Sequence, residues 1–158
     1  FDELYKKNWL DMMRKKLGLF GEESNDESLI FNLLSWMNQN KADYTNTFCF
    51  LMNEDFVKDS IYNNQNFINW KKQWQKRLNL KNNSLERSLK LMHSSNPLII
   101  PRNHKVEEAL EAANNDNFDP FNSLLEILKK PYQKQKKNSE YYYPRTTSDT
   151  KYQTFCGT

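Results

Sequence analysis

The chain is short of the residues that break regular structure. Its 158 residues contain three glycines, Gly18, Gly21 and Gly157, and five prolines. A β-rich fold needs many tight turns, so this scarcity excludes one and favours helices. Only two cysteines are present, Cys49 and Cys156, far apart in sequence, which does not suit a secreted disulfide scaffold. No apolar run approaches the roughly 18 residues needed to cross a bilayer. The opening FDELYKKNWLDMMRKKLG is amphipathic but carries acids, so it reads as neither signal nor transit peptide. A formal charge of +3, with Lys and Glu interspersed, is an ordinary solvated surface rather than a nucleic-acid footprint.

What the chain does have is aromatic anchors. Phe, Tyr and Trp make up 14% of the residues against a hydrophobic total of 37%. Each buried ring removes a large area from water, so few anchors can hold a core. At this length one domain can bury about two-thirds of its unfolded surface.

Helical spacing recurs along most of the chain. It predicts a first helix over Asp2–Leu17, stopped by Gly18. A second carries Leu29, Ile30, Leu33, Leu34 and Met37, opened by a capping box at Ser24-Asn25-Asp26-Glu27. A third covers Tyr44–Met52 with Asp43 as cap, and a short fourth covers Asp55–Tyr62. Phe67, Trp70, Trp74 and Leu78 mark a fifth. Asn83 and Glu86 signal the start of a sixth, buried along Leu85, Leu89 and Met92.

Asn96-Pro97 ends that helix, since a residue before proline is driven from the helical region. Leu98, Ile99 and Ile100 then lie extended between Pro97 and Pro101. Asn103 caps a seventh helix facing inward through Val106, Ala109, Leu110 and Ala113. Asp119 and Pro120 start an eighth, with Phe121, Leu124, Leu125 and Leu128 as its stripe. The expectation is an all-α domain of seven or eight amphipathic helices, irregularly or orthogonally packed, over residues 1–131. Residues 132–158 form an irregular tail ending in a cysteine. Phe1 opens mid-pattern without a cap, which points to a chain cut from something longer.

No catalytic constellation stands out. His93 and His104 are the only histidines, and neither has a Cys or His at metal-ligand spacing. Cys49, among Phe48, Phe50 and Leu51, reads as a small buried hydrophobe. Cys156, third from the end, is an accessible thiol able to reach another cysteine or an idle one. The lysines from Lys129 to Lys137, followed by Tyr141, Tyr142 and Tyr143, read as a solvated tail rather than a nucleic-acid surface. Arg102 and Asn103, after the proline-bracketed segment, fix a backbone turn or hold a neighbouring surface. Arg102 alone does not make a phosphate site.

Several segments resemble one family in the right order. WLDMMRKKLGLF, KADYTNTF, NPLIIPRNHKVEEALEAA, FNSLLEILKKPY and YQTFCGT resemble the C-terminal region of selenoprotein O family proteins, over nearly the whole chain. The resemblance implies a protein adenylyltransferase on a kinase-like fold, moving AMP from ATP to Ser, Thr or Tyr hydroxyls of proteins. Magnesium and an ATP reversed relative to ordinary kinases go with it. The implied partners are a kinase-like catalytic core in cis, with Arg102, Asn103 and His104 as possible contacts, and protein substrates. Many relatives carry a terminal cysteine or selenocysteine able to pair with a core cysteine, and Cys156 is the position that matches. The tail has no second redox residue, so a disulfide must reach elsewhere.

A nucleotidyl transferase of that type needs a phosphate-covering loop, a phosphate-pairing lysine and acidic or amide metal ligands. None is recognisable here, so the expectation is a chain with no catalytic, cofactor-binding or metal residues, inactive alone. The resemblance implies a cytoplasmic location in bacteria, or a mitochondrial one in a eukaryote. The competing expectation is a free-standing helical interaction module using Trp70 or Tyr141 to Tyr143.

Overall fold

A computed structural model describes residues 2–80, 83–135 and 139–144. Among the described residues seven α-helices follow one another: α1 (Asp2–Lys16), α2 (Asp26–Asn40), α3 (Tyr44–Leu51), α4 (Gln65–Leu78), α5 (Leu85–Ser95), α6 (Asn103–Asn114) and α7 (Asp119–Leu128). 3-10 turns at Ser60–Asn63 and Ser139–Tyr142 accompany them. There is no strand among the described residues, and no helix there is long and apolar enough to cross a membrane.

Helices α1 to α5 form the body. α2 packs on α4, and α1 packs on both α5 and α2. The centre holds Met13, Leu17, Ile30, Leu33, Phe48 and Phe67, all essentially without solvent exposure. A run of rings stiffens it: Trp36 meets Phe67 at 4.5 Å, Phe67 meets Trp70 at 5.7 Å, and Trp70 stacks on Trp74 at 6.1 Å. Their polar edges are satisfied inside. Trp70 Nε1 donates to the Leu29 carbonyl at 2.8 Å and Trp74 Nε1 to that of Leu17 at 2.9 Å. A buried indole N–H left unpaired would weaken the same packing.

Gly18 shows why the first helix stops where it does. Its φ of +69° is left-handed, and a Cβ there would lie 2.9 Å from the Ser88 carbonyl oxygen and 3.0 Å from Met92 Cγ. The residue therefore supplies both the turn and the close approach of α1 to α5. Ser88 Oγ donates to the Gly18 carbonyl at 2.8 Å, closing that contact.

Several local expectations are corrected. The box at Ser24–Glu27 does not form: Asn25 occupies the cap position without a side-chain cap bond, and Asp26 turns into the interior instead. The short fourth helix over Asp55–Tyr62 reduces to the turn Ser60–Asn63, begun by Asp59 accepting from the Ile61 N–H. The sixth predicted helix is capped by Ser84, not Asn83. Asn83 Nδ2 instead donates to Ser88 Oγ at 2.5 Å. Leu85 lies outside, because Ser88 and Met92 form the inward edge. Arg102 and Phe118, rather than Asn103 and Asp119, occupy the cap positions of α6 and α7. Asp43 caps α3 as expected, accepting from the Asn46 N–H at 2.8 Å.

Helices α6 and α7 pair mainly with each other. The base of this hairpin is fixed where the N–H groups of Leu98 and Ile99 donate to the Pro131 carbonyl, at 2.8 and 3.2 Å. Ala109, Leu124 and Ile127 are buried, whereas Leu110, Phe121 and Leu125, expected inside, are exposed.

Candidate functional site

Two charged clusters stand out, one within the body and one where the body meets the start of α6. The first is centred on Asp26, whose side chain is fully buried. It accepts from Arg77 Nε at 2.6 Å, Arg77 Nη2 at 3.2 Å, Arg14 Nε at 2.8 Å and the Glu23 N–H at 3.0 Å. Arg77 Nη2 also donates to the Phe20 and Gly21 carbonyls, at 3.2 and 3.1 Å. One carboxylate thus joins α1, the following loop, α2 and α4. Burial alone would raise its pKa; the hydrogen bonds from Arg77, Arg14 and the Glu23 N–H outweigh that and hold the carboxyl below its ordinary value. A cleft of about 470 Å³ opens beside it, lined by Ser24, Asn32, Gln73 and Lys76 among others.

The second cluster is built on Arg102. The segment between Pro97 and Pro101 delivers this residue to the α6 N-terminus, where its guanidinium is buried. Nη1 and Nη2 grip Asp43 at 2.5 and 3.0 Å, a two-pronged pair. Nη2 also reaches Asn46 Oδ1 at 3.3 Å and the Tyr142 carbonyl at 3.1 Å. The Tyr142 ring is buried and stacks on Phe56 at 4.2 Å. Its hydroxyl accepts from the Gln135 N–H at 2.7 Å. Tyr143 Oη donates to the Phe56 carbonyl at 3.3 Å. The α3 cap, the α6 start and the segment leading to the C-terminus therefore share one clamp. Next to it lies a cleft of about 870 Å³, lined by Lys41, Asp43, Phe56, Asp59 and Tyr143 among others.

The remaining expected site residues fall as follows. Asn103 is exposed as the first residue of α6, and His104 next to it is half-buried. Cys49 is buried, as expected of a small hydrophobe. Burial, then the nearby charges of Glu54 and Asp43, push its thiol up to about 12, so it is not poised as a thiolate nucleophile. His93 Nδ1 lies 3.7 Å from Glu54. Lys134 pairs with Asp55 at 2.6 Å and Glu54 at 3.6 Å. Cys156 lies outside the described residues. No group of three or more His, Cys, Asp or Glu side chains among the described residues is arranged to hold a metal ion.

Chemically, both clusters are closed ion pairs, although the buried Arg102 Nε has no partner among the described residues. They fix geometry; neither pairs a nucleophile with a base. Sequence reading saw Asp43 only as a cap and missed its pairing with Arg102, and saw Asp26 only as part of a capping box and missed its pairing with Arg77 and Arg14. No local signal marks a partner more than fifty residues away.

Among the described residues the chain is an all-helical body with an anchored terminal segment, carrying the family's motifs in order. A family model described as protein adenylyltransferase SelO matches residues 1–129, and the chain belongs to the SelO family. Relatives named protein nucleotidyltransferase YdiU are similar throughout. That of Pelagibacter ubique is 51% identical over all of this chain and 33% of its own length. Those of Nitrosococcus oceani and Clostridium perfringens are 45% and 46% identical, again over all of this chain and 32% of theirs. The chain thus spans about a third of the length of these relatives.

Proposed function

We propose that this chain is the C-terminal helical portion of a SelO-type protein adenylyltransferase and serves it as a structural and regulatory unit. The kinase-like core that binds ATP and magnesium lies in the remaining two thirds of such a polypeptide. That core moves AMP to Ser, Thr or Tyr hydroxyls of protein substrates. The helical portion contributes no catalytic, cofactor or metal residue of its own. It buttresses the core in cis, through surfaces that include the Arg102–His104 turn, and presents Cys156 to it. Nucleic acid and membrane play no part, and the setting is the cytoplasm in a bacterium or the mitochondrion in a eukaryote.

One observation carries this reading. A chain matching a third of its relatives' length leaves apolar side chains open on two sides: Leu4, Tyr5 and Phe31 on α1 and α2, and Phe121 and Leu125 on α7. Such faces fit a unit normally covered by more of the same polypeptide.

The test is labelling with ATP carrying a tagged adenylyl group, magnesium present, on this chain and on the longer polypeptide. Transfer by the longer form alone supports the reading. Transfer by neither favours a free-standing interaction module, and transfer by the short chain overturns the assignment. In the longer form, Cys156→Ser is expected to abolish redox sensitivity and keep the fold; unchanged activity under oxidising and reducing conditions in both forms counts against that role.

A further inference from the structure

The hairpin α6–α7 differs from the body in charge, and like it leaves apolar side chains open. Between Val106 and Leu128 there are six carboxylates and no Lys or Arg, while all 23 cations lie elsewhere in the chain, against 14 acids. On α7, Phe118, Phe121 and Leu125 follow at intervals of three and four, so they share one side of the helix. They are 55%, 43% and 46% exposed. Leu124 and Ile127, on the adjoining side of α7, are the ones turned inward. Glu111, Asp116 and Asp119 have no ion-pair partner among the described residues.

We propose that this outer face of α6–α7 is the surface on which the rest of the polypeptide docks. The inference rests on the reading that this chain is one third of a longer enzyme. It names the contact: a facing surface apolar at its centre and lined by Lys or Arg at its rim. Two features select that occupant. Two thirds of the relatives' length lies outside this chain, which supplies a covering surface. A second copy seated face to face would bring together two hairpins that each carry six carboxylates and no Lys or Arg between Val106 and Leu128. Glu108 and Glu126 pair with the flanking Lys105 and Lys129, but the remaining excess of like charge opposes pairing. The apolar stripe gives the area that leaves water, and the acidic rim gives register and rejects acidic surfaces.

The test is hydrogen exchange, read helix by helix, on this chain and on the longer polypeptide. Amides of α6 and α7 are expected to exchange about tenfold more slowly in the longer form. That slowing should fall as salt is raised, because the rim is charged. Phe121→Ser with Leu125→Ser should remove it, and Glu111→Lys should reduce it, while the short chain's melting is unchanged by either. Slowing confined to α1–α5 overturns this inference and leaves the longer-enzyme reading standing. No slowing anywhere overturns both. Protection of the short chain that rises with its concentration would identify a second copy instead. Faster α6–α7 exchange in the short chain after truncation at Pro144 would identify its own last residues. Either result overturns the proposal.

Discussion

Helices α1 to α5 and the hairpin α6–α7 are written in the same amphipathic pattern, yet the first set closes round a core of rings and the hairpin has no such core. The body leaves only one side open, at Leu4, Tyr5 and Phe31. All four Trp residues belong to the body, and three of them are buried beside Phe67 in an unbroken run of rings. The hairpin buries Ala109, Leu124 and Ile127 but keeps its rings, Phe118 and Phe121, outside. Large rings can fill the gap between several helices at once. Alanines only let two helices approach. A helical stripe therefore states that a face needs cover, not which element provides it.

The contrast is sharpest at two phenylalanines. Phe67→Ala removes a side chain with 0% exposure and is expected to cost about 3–5 kcal/mol. A denaturant titration of the purified chain measures it, and a loss below about 1 kcal/mol would mean the body is not the well-packed unit described.

Asp26→Asn should come next, at about 3 kcal/mol, because it leaves Arg14 and Arg77 without their shared counter-charge. The same group makes stability depend on pH. Its folded pKa is lowered, so its contribution is full above the unfolded carboxyl value, about 4, and is lost as pH falls through the lower folded value. Chemical denaturation across acidic pH should show this loss in the parent chain, with a smaller slope in Asp26→Asn. Equal slopes would remove Asp26 as its source.

Arg102→Ala tests the clamp that joins the two regions. The loss of its bonds to Asp43, Asn46 and the Tyr142 carbonyl should cost about 1–3 kcal/mol. Exchange at residues 139–144 should quicken while α4 stays protected. Uniform quickening would show instead that Arg102 supports the whole body. Phe121→Ala should have the smallest effect, within about 0.5 kcal/mol in this chain, as expected for a ring already 43% exposed. A larger loss would place that ring in the hairpin's own packing and end the contrast with Phe67.

Much of this architecture was legible in the sequence because its signals are local. The spacing of Leu29, Ile30, Leu33 and Met37 marks α2, Asp43 caps α3, and Gly18 ends the first helix. A helix and its cap are decided by groups three or four residues apart, which a linear reading can see. The family motifs were legible for the same reason. What only the tertiary structure decided is which stripe finds a partner and which charge finds a counter-charge. Ser24 to Glu27 has the pattern of a cap, but Asp26 has two arginines inside to pair with, one of them 51 residues away. Arg102 has the form of a surface residue, but it lies on Asp43, 59 residues away. Phe121 and Leu125 have the form of core residues, but no helix of this body lies across from them. Period and propensity act within one turn of helix, whereas burial and ion pairing depend on what the packed chain brings opposite.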